Sequence, residues 1–385
     1  MVTVYLIRHG EAEGNLYRRM QGQFNSDLTA LGRKQIACLQ ERFRDIRLDA
    51  VYSSDLYRAM ETAAALCRPR SLPLFTDRRL REVHVGPWED QTFGNMAEDY
   101  PLEMQVFSAD PPHWRLEGAD TFEGLSRRAI AALLDIVRRH DGGTVAVCGH
   151  GYLINSILSG LFDGFDHPEK IGRSTNTAVS RLCWENGRFY EEYRHDSSHL
   201  PPALQSVLRR NMVIRPMAPD AVEEYIRYRS DAWQVVYGSL QGFDGPGFWL
   251  DAQRTMGPDP EAMAVGYLDR RPAGMIQLNP DRDSHKGVGY IPFLYLREPY
   301  RYQGLGIELI GHAVSFYRRR GRTKLQLSVA PTNESALRFY RRYGFTQVKK
   351  QRGRFGHLLL MEKDISLPKA PSGVKIIPVA SKEAP

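Results

Sequence analysis

The sequence predicts an α/β protein built from two domains. At 385 residues the chain is longer than most single domains. Short runs rich in β-branched and aromatic residues alternate with longer amphipathic segments in both halves. We expect a first domain at residues 1–198, a linker at 199–211 and a second domain at 212–365. The last residues, 366–385, are rich in Pro, Ala, Ser and Lys and predict a flexible tail.

In the first half, apolar runs predict strands that alternate with helices. Single strands are expected at residues 2–7, 48–52 and 144–148. Helical spacing of apolar residues predicts helices at residues 29–42, 55–66, 122–139 and 152–161. A turn at Glu185-Asn186-Gly187 predicts a hairpin of two strands, 178–184 and 188–195.

The second half begins a new α/β unit whose motifs differ from those of the first, so no internal repeat is expected. Strands are predicted at residues 213–216, 262–268, 273–279, 289–296, 324–329 and 357–363. Helices are predicted at residues 219–229, 305–319 and 335–343.

A chemically reactive set of residues follows the first strand, where Arg8-His9-Gly10 succeeds the apolar run at 2–7. Ligands of open α/β sheets bind beyond the carboxyl ends of the strands. The strand at 144–148 also ends in His-Gly, at His150. In a parallel sheet, His9 and His150 are therefore expected to converge at one edge.

Further residues of the first half suit phosphoryl transfer, which needs a nucleophile, cations around the phosphoryl oxygens and an acid for the leaving group. His9 offers the nucleophile, and Arg8 offers a planar fork for phosphate. Arg58 falls in the first turn of its predicted helix, where anions are favoured. Asn15 can donate its amide, and Glu82 offers the carboxyl group.

These motifs resemble the histidine phosphatase superfamily, in its phosphoglycerate-mutase-like branch, over roughly residues 1–195. The resemblance implies a three-layer α/β/α sheet and a metal-independent mechanism. His9 would be phosphorylated and Glu82 would protonate the leaving group. Arg8, Asn15, Arg58 and His150 would bind the phosphate. Glu82 has an alternative role as a pocket wall, because Glu89 is close in sequence.

The chain departs from the family pattern at three places. Ala12 stands where Thr is usual, Asp90 stands where Gly is usual, and residues 118–121 replace a Gly-Glu-Ser segment. None of these positions belongs to the charged core of the motif. They therefore bear on the shape of the substrate more than on catalysis.

A second motif follows the strand at 289–296 and opens a helix. It places two glycines where backbone N–H groups can approach a pyrophosphate, and reads Arg301-Tyr302-Gln303-Gly304-Leu305-Gly306. Together with Asn333 and the Tyr340 helix, it resembles the GNAT-type acetyltransferases, which have a mixed α/β sheet, over roughly residues 212–365. The resemblance implies acetyl-CoA bound by residues 301–306 and Asn333, with Tyr340 protonating the thiolate.

Two observations leave the second activity open. Tyr340 is also explained as a core aromatic on an amphipathic helix. The strand at 289–296 carries no Asp, Glu or His that could act as a general base.

The composition favours a cytoplasmic protein without a membrane span. No apolar run reaches 18 residues, and the N-terminus lacks a signal-peptide pattern. The four cysteines have no metal-ligand spacing and predict free thiols. A net charge of +7 over this length is weak support for nucleic-acid binding, which we do not expect.

The leading hypothesis is a bifunctional enzyme with two small-molecule substrates, a phosphate ester and an amine acceptor. The alternative is a phosphatase, or a phosphoglycerate-mutase-like phosphotransferase, whose C-terminal domain binds CoA only as a regulatory module.

Overall fold

A computed structural model describes residues 1–172, 174–206, 210–256, 259–353 and 356–380. The chain forms two compact units. The first combines the described parts of residues 1–91, 96–208 and 368–385, and the second combines those of 92–95 and 209–367. The first unit therefore contains segments from both ends of the chain.

The secondary structure alternates along the chain. The strands are β1 (Val2–Arg8), β2 (Ala50–Ser53), β3 (Leu74–Thr76), β4 (Thr144–Gly149), β5 (Val179–Glu185), β6 (Arg188–Asp196), β7 (Val213–Pro216), β8 (Met263–Leu268), β9 (Arg271–Asn279), β10 (Val288–Leu296), β11 (Lys324–Val329), β12 (Thr346–Gly353), β13 (Gly356–Asp364) and β14 (Ile376–Pro378). The helices are α1 (Glu13–Tyr17), α2 (Ala30–Arg42), α3 (Tyr57–Cys67), α4 (Phe93–Asp99), α5 (Pro101–Ala109), α6 (Phe122–Arg139), α7 (Gly151–Leu158), α8 (Val222–Tyr237), α9 (Gly245–Met256), α10 (Gly306–Arg318) and α11 (Glu334–Arg342).

The first unit is a three-layer α/β/α sheet in the order β14-β3-β2-β4-β1-β5-β6. The strands from β14 to β1 are parallel, and β5 and β6 add an antiparallel hairpin. One face of the sheet packs on α2 and α3 through a core that includes Ile7, Leu39, Val51 and Leu66. Successive strand residues point to opposite faces, so the other face carries the residues between them. The hairpin turns at Asn186 and Gly187, both with positive φ, as the sequence predicts.

The C-terminal segment differs from the flexible tail that its composition predicts. Ile376 pairs with Leu74, and the Leu74 N–H donates to the Lys375 carbonyl oxygen at 2.8 Å. Ile376 and Val374 also pack against the core of the first unit. The few apolar residues in an otherwise polar tail are therefore sufficient to add an edge strand to β3.

The second unit is a mixed sheet in the order β12-β13-β11-β10-β9-β8-β7, in which β10 and β11 form the parallel pair. The pairing of β10 with β9 is irregular between Tyr290 and Phe293. Helices α8 and α9 pack on one face through Tyr225, Phe293 and neighbouring apolar residues. Within the described residues, no helix is long and apolar enough to cross a membrane.

Candidate active sites

The two histidines of the first unit lie side by side at the carboxyl edge of its sheet. Arg8 of β1 pairs with Gly149 of β4, so His9 and His150 leave the sheet at equal positions. Their ring centroids are 5.3 Å apart, and both side chains are buried. The predicted convergence of His9 and His150 is therefore present in the structure.

The hydrogen bond of His9 selects its tautomer. Nδ1 lies 2.7 Å from the Gly10 carbonyl oxygen, which can only accept, so Nδ1 carries the proton and Nε2 carries the lone pair. Burial, followed by the charges of Arg58 and Arg8, holds the pKa of His9 well below its ordinary value. His9 is thus a neutral imidazole whose unprotonated nitrogen is Nε2.

His150 is also neutral, because burial and the nearby Arg58 hold its pKa well below the ordinary value. Neither of its buried ring nitrogens has a hydrogen-bond partner among the described residues. Buried polar atoms without partners are costly. The ring is therefore suited to bind a polar ligand beside His9.

Two arginines provide positive charge at this edge. Arg58, which is 1% exposed, donates from Nη1 to the Phe24 carbonyl oxygen at 2.9 Å and from Nη2 to that of Gly22 at 2.6 Å. Burial lowers the pKa of Arg58 to about 10, and it remains a cation at neutral pH. Arg8 donates to the Ser174 carbonyl oxygen. Because the partners of Arg58 are neutral carbonyl groups, its guanidinium forms no direct ion pair among the described residues.

Glu82 lies at the amino end of α7, next to His150. Its carboxylate accepts the N–H groups of Leu153 at 2.8 Å and of Tyr152 at 3.1 Å. Burial raises the pKa of Glu82 from its ordinary value, while these N–H groups and Arg58 act in the opposite direction. The predicted proton donor therefore also caps the helix that begins after His150.

The side-chain amide of Asn15 stabilises the start of α1 through its oxygen. Its Oδ1 accepts the Ala12 N–H at 3.0 Å, at the start of α1. The side chain is partly buried. The amide nitrogen is the part of Asn15 that the predicted phosphate contact would use.

Thr62 and Arg128, which the sequence analysis did not single out, and Glu89, which it named beside Glu82, hold the site in place. Thr62 accepts the Gly10 N–H at 3.0 Å and donates to the Arg58 carbonyl oxygen at 2.7 Å. Arg128 donates to the Glu82 carbonyl oxygen at 2.8 Å. Glu89 accepts the Gln23 N–H at 2.9 Å. The spacing of Thr62, four residues after Arg58, is the only sequence signal that could have indicated one of them.

The pyrophosphate loop predicted in the second unit connects β10 to α10. Gly304 has φ +75°, a conformation that L side chains rarely adopt. A Cβ on Gly306 would lie 3.2 Å from the Phe339 ring, so this glycine allows α11 to pack closely against the start of α10. Leu305 is buried and precedes the first helical residue, whereas Tyr302 is 90% exposed.

The side chains at the edges of this loop stabilise its path. Arg301 donates from Nε to the Leu296 carbonyl oxygen at 2.9 Å, and Gln303 donates to that of Pro299 at 2.7 Å. Both side chains are therefore bound to the backbone that precedes them.

The strands next to the loop separate at their carboxyl ends. β10 pairs with β11 only from Val288 to Ile291, and then continues to Leu296 along β9. β11 continues to Val329 along β13. The resulting gap, the conformation at Gly304 and the amino end of α10 fit an extended cofactor arm with a pyrophosphate.

The two other predicted residues lie on α11. Asn333 caps this helix, because its Oδ1 accepts the Ala336 N–H at 3.1 Å. Tyr340 is 8% exposed and burial raises its pKa, which keeps the phenol protonated. Its ring contacts Phe339 and Phe345. The structure thus gives Tyr340 both a packing role and the protonation state of an acid.

Comparison with known proteins identifies both units. The model of the histidine phosphatase superfamily (branch 1) matches residues 4–196, and that of the acetyltransferase (GNAT) family matches residues 222–345. The chain is 30% identical over 215 residues to "Probable phosphoglycerate mutase GpmB" of Salmonella choleraesuis, across 54% of this chain and all of that relative. It is 34% identical to the solved structure "Bacillus stearothermophilus YhfR", with a TM-score of 0.50, across 52% of this chain and 99% of that one. The chain therefore belongs to the histidine phosphatase superfamily, and a GNAT acetyltransferase region follows its phosphatase-type domain.

Proposed function

We propose that the chain is a bifunctional enzyme that hydrolyses a phosphomonoester through a phosphohistidine at His9 and acetylates an amine in its second unit. The observation that supports the first activity most directly is the neutral His9, with Nε2 as its basic nitrogen, 5.3 Å from the His150 ring. Membership of the histidine phosphatase superfamily supports the same conclusion.

In the first half-reaction, Nε2 of His9 attacks phosphorus and the bond to the alcohol oxygen breaks. Arg8, Arg58 and His150 bind the equatorial oxygens, and Asn15 adds its amide nitrogen. The raised pKa of Glu82 favours the protonated carboxyl that the departing alkoxide needs. Water then attacks phosphorus, its proton passes to the Glu82 carboxylate, and the bond from Nε2 to phosphorus breaks to release phosphate.

Transfer to a second alcohol instead of water would make the first unit a mutase. The phosphatase-type domain is compact in sequence and lacks long insertions around the motifs, which favours hydrolysis. The relative named as a probable phosphoglycerate mutase keeps the phosphotransferase as the second candidate.

The first activity is tested by phosphate release from a panel of phosphate esters, together with covalent labelling of the denatured protein. We expect His9→Ala to abolish turnover and the acid-labile label. His140→Gln is a matched control, because His140 is bonded to Tyr52 through Nε2 at 2.9 Å and has no role in the proposed chemistry. Full turnover by His9→Ala would exclude the mechanism.

The second activity rests on the GNAT match and on the loop from Arg301 to Gly306, which with Asn333 would hold acetyl-CoA. The amine nitrogen would bond to the acetyl carbonyl carbon while the C–S bond breaks, Tyr340 would give its proton to the departing thiolate, and the proton lost from the amine would pass to water. Release of free CoA thiol with a panel of amines tests this transfer. The alternative, a CoA-binding regulatory module, predicts instead that CoA changes the phosphatase rate without being consumed.

A further inference from the structure

One partly buried arginine of the second unit has no acidic partner among the described residues. Arg229 of α8 is half-buried, and within the described residues it makes no ion pair. Its Nε donates to the Tyr225 hydroxyl at 2.8 Å and its Nη2 donates to Gln277 Oε1 at 2.7 Å. Both Nη1 hydrogens lack an acceptor among the described residues, so one edge of the guanidinium is available to a ligand.

Aromatic rings fix the plane of this guanidinium. Its carbon lies 3.9 Å from the centroid of Phe293, 5.0 Å from that of Phe248 and 5.3 Å from that of Tyr225. Rings on several sides remove water from the cation and leave its charge poorly solvated. Asp251 acts on Arg229 only through space, and burial is the larger effect, which lowers the pKa of Arg229. A desolvated planar cation with a free edge is suited to bind an anion with paired oxygens.

The position of Arg229 connects it to the acetylation chemistry. Phe293 lies on β10 just beyond Ile291, the last residue that pairs with β11. The guanidinium therefore lies over the half of β10 that borders the gap proposed to hold the acetyl-CoA arm. An amine whose anionic group binds Arg229 would be held near that gap.

We propose that Arg229 binds the anionic group of the acetyl acceptor, so that the substrate is an amine carrying a carboxylate or a phosphate; this inference rests on the acetyl transfer proposed above. The arginine acts as a binding residue for the acceptor. Gln277 and Tyr225 are positioning residues, because they orient the guanidinium without facing the ligand edge.

The test compares acceptors that differ only in the anionic group, using the full chain and acetyl-CoA with CoA thiol release as the readout. Methionine against methioninamide isolates the carboxylate. 2-Aminoethyl phosphate against 2-aminoethanol isolates the phosphate, and this pair is measured in the His9→Ala background so that the ester is not hydrolysed. The pair in which the anionic acceptor is preferred more strongly over its neutral counterpart shows whether the site binds a carboxylate or a phosphate.

We expect Arg229→Gln to raise the KM of the anionic acceptor about 10- to 100-fold while the neutral acceptor is unchanged. Arg229→Lys, which keeps the charge and loses the fork, should be intermediate. Arg227→Gln is the matched control on the same helix, since Arg227 is exposed. Equal losses for anionic and neutral acceptors, or for acetyl-CoA binding, would assign Arg229 a purely structural role and overturn the proposal.

A binding measurement separates this inference from the transferase itself. Titration of each acceptor into the CoA-bound chain is followed by calorimetry, for the parent and for Arg229→Gln. If the anionic acceptor binds in a way that depends on Arg229 but is not acetylated, the proposed transferase activity is wrong and the proposed anion site is right. If neither binding nor turnover of the anionic acceptor depends on Arg229, the proposed anion site is wrong.

Discussion

The Glu82 carboxylate accepts the Leu153 N–H at 2.8 Å, so the proposed proton donor and the first turn of α7 are fixed to each other. His150 is the residue that precedes this turn. One carboxyl group thus orients the helix after His150 and is also the group that we propose as the proton donor. A substitution at Glu82 therefore has to be designed so that the cap survives while the acid is lost.

The Leu153 and Tyr152 N–H groups donate to different oxygens of Glu82, so Glu82→Gln keeps one of these two acceptors and removes the carboxylic acid. We expect the turnover of alkyl phosphates to fall about 100- to 10,000-fold, since their alkoxide needs a proton. p-Nitrophenyl phosphate has a good leaving group and should be affected far less. Steady-state phosphate release with both esters measures the difference. Equal losses for both would assign Glu82 to the pocket wall.

The pH profile of the first unit should peak on the acid side of neutrality. The lowered pKa of His9 keeps the nucleophile neutral below pH 6.5, and the raised pKa of Glu82 extends its protonated form upward from its ordinary value. Activity on alkyl phosphates should therefore decline as the pH rises and Glu82 loses its proton. This alkaline decline should be absent in Glu82→Gln; its persistence there would assign it to another group.

Stability of the first unit should fall as the pH drops below about 6.5. The unfolded chain then protonates His9 and His150, while the folded chain, with both pKa values lowered, does not. The unfolded state binds more protons, and each histidine contributes a slope of at most about 1.4 kcal/mol per pH unit. Amide hydrogen exchange of β1 and β4, corrected for its intrinsic pH dependence, measures this. A slope unchanged in His150→Asn would contradict the prediction.

The edge strand β14 should contribute to the stability of the first unit. Ile376→Ala removes apolar contact with that core and should cost about 1–2 kcal/mol, less than a fully buried isoleucine. Lys375→Ala is the control, because Lys375 accepts the hydrogen bond from Leu74 through its backbone carbonyl, which the substitution keeps. Urea unfolding reports both. Equal stability of the two variants would show that the strand is dispensable.

Tyr340→Phe should slow acetyl transfer and leave CoA binding intact. The change removes only the hydroxyl, so the packing against Phe339 and Phe345 is preserved. A general acid is worth about 100- to 10,000-fold in rate. CoA release measures the loss, and a thermal shift with CoA checks binding. Tyr343→Phe is the control, and an unchanged rate in Tyr340→Phe would leave the residue a role in packing only.

Much of the first site could be predicted because its chemistry follows the ends of regular strands. His9 and His150 each come one residue after an apolar run, and parallel pairing brings such positions together. Arg128 could not be found this way. Arg128 reaches the Glu82 carbonyl from a helix distant in sequence, and no local pattern indicates that contact.

Three strands escaped prediction, β3, β12 and β14, and two of them, β12 and β14, lie at sheet edges. β12 is polar and largely exposed, from Thr346 to Gly353, and lacks the alternation that marks a half-buried strand. β14 contains only Ile376, Ile377 and Pro378, and its pairing partner β3 is just as short. The site at Arg229 could not be predicted either, because it depends on contacts with Phe293 and Gln277, which are distant in sequence.

The position of β14 in the sequence also determines when the first sheet can be completed during synthesis. Every other strand of the first sheet has been made by residue 196, but its last edge is added only after the whole second unit has been translated. A fragment ending near residue 198 would leave β3 as an open edge. The natural unit for expression of the phosphatase-type domain is therefore the full chain, or a fusion that joins residues 368–380 to the first domain through a linker.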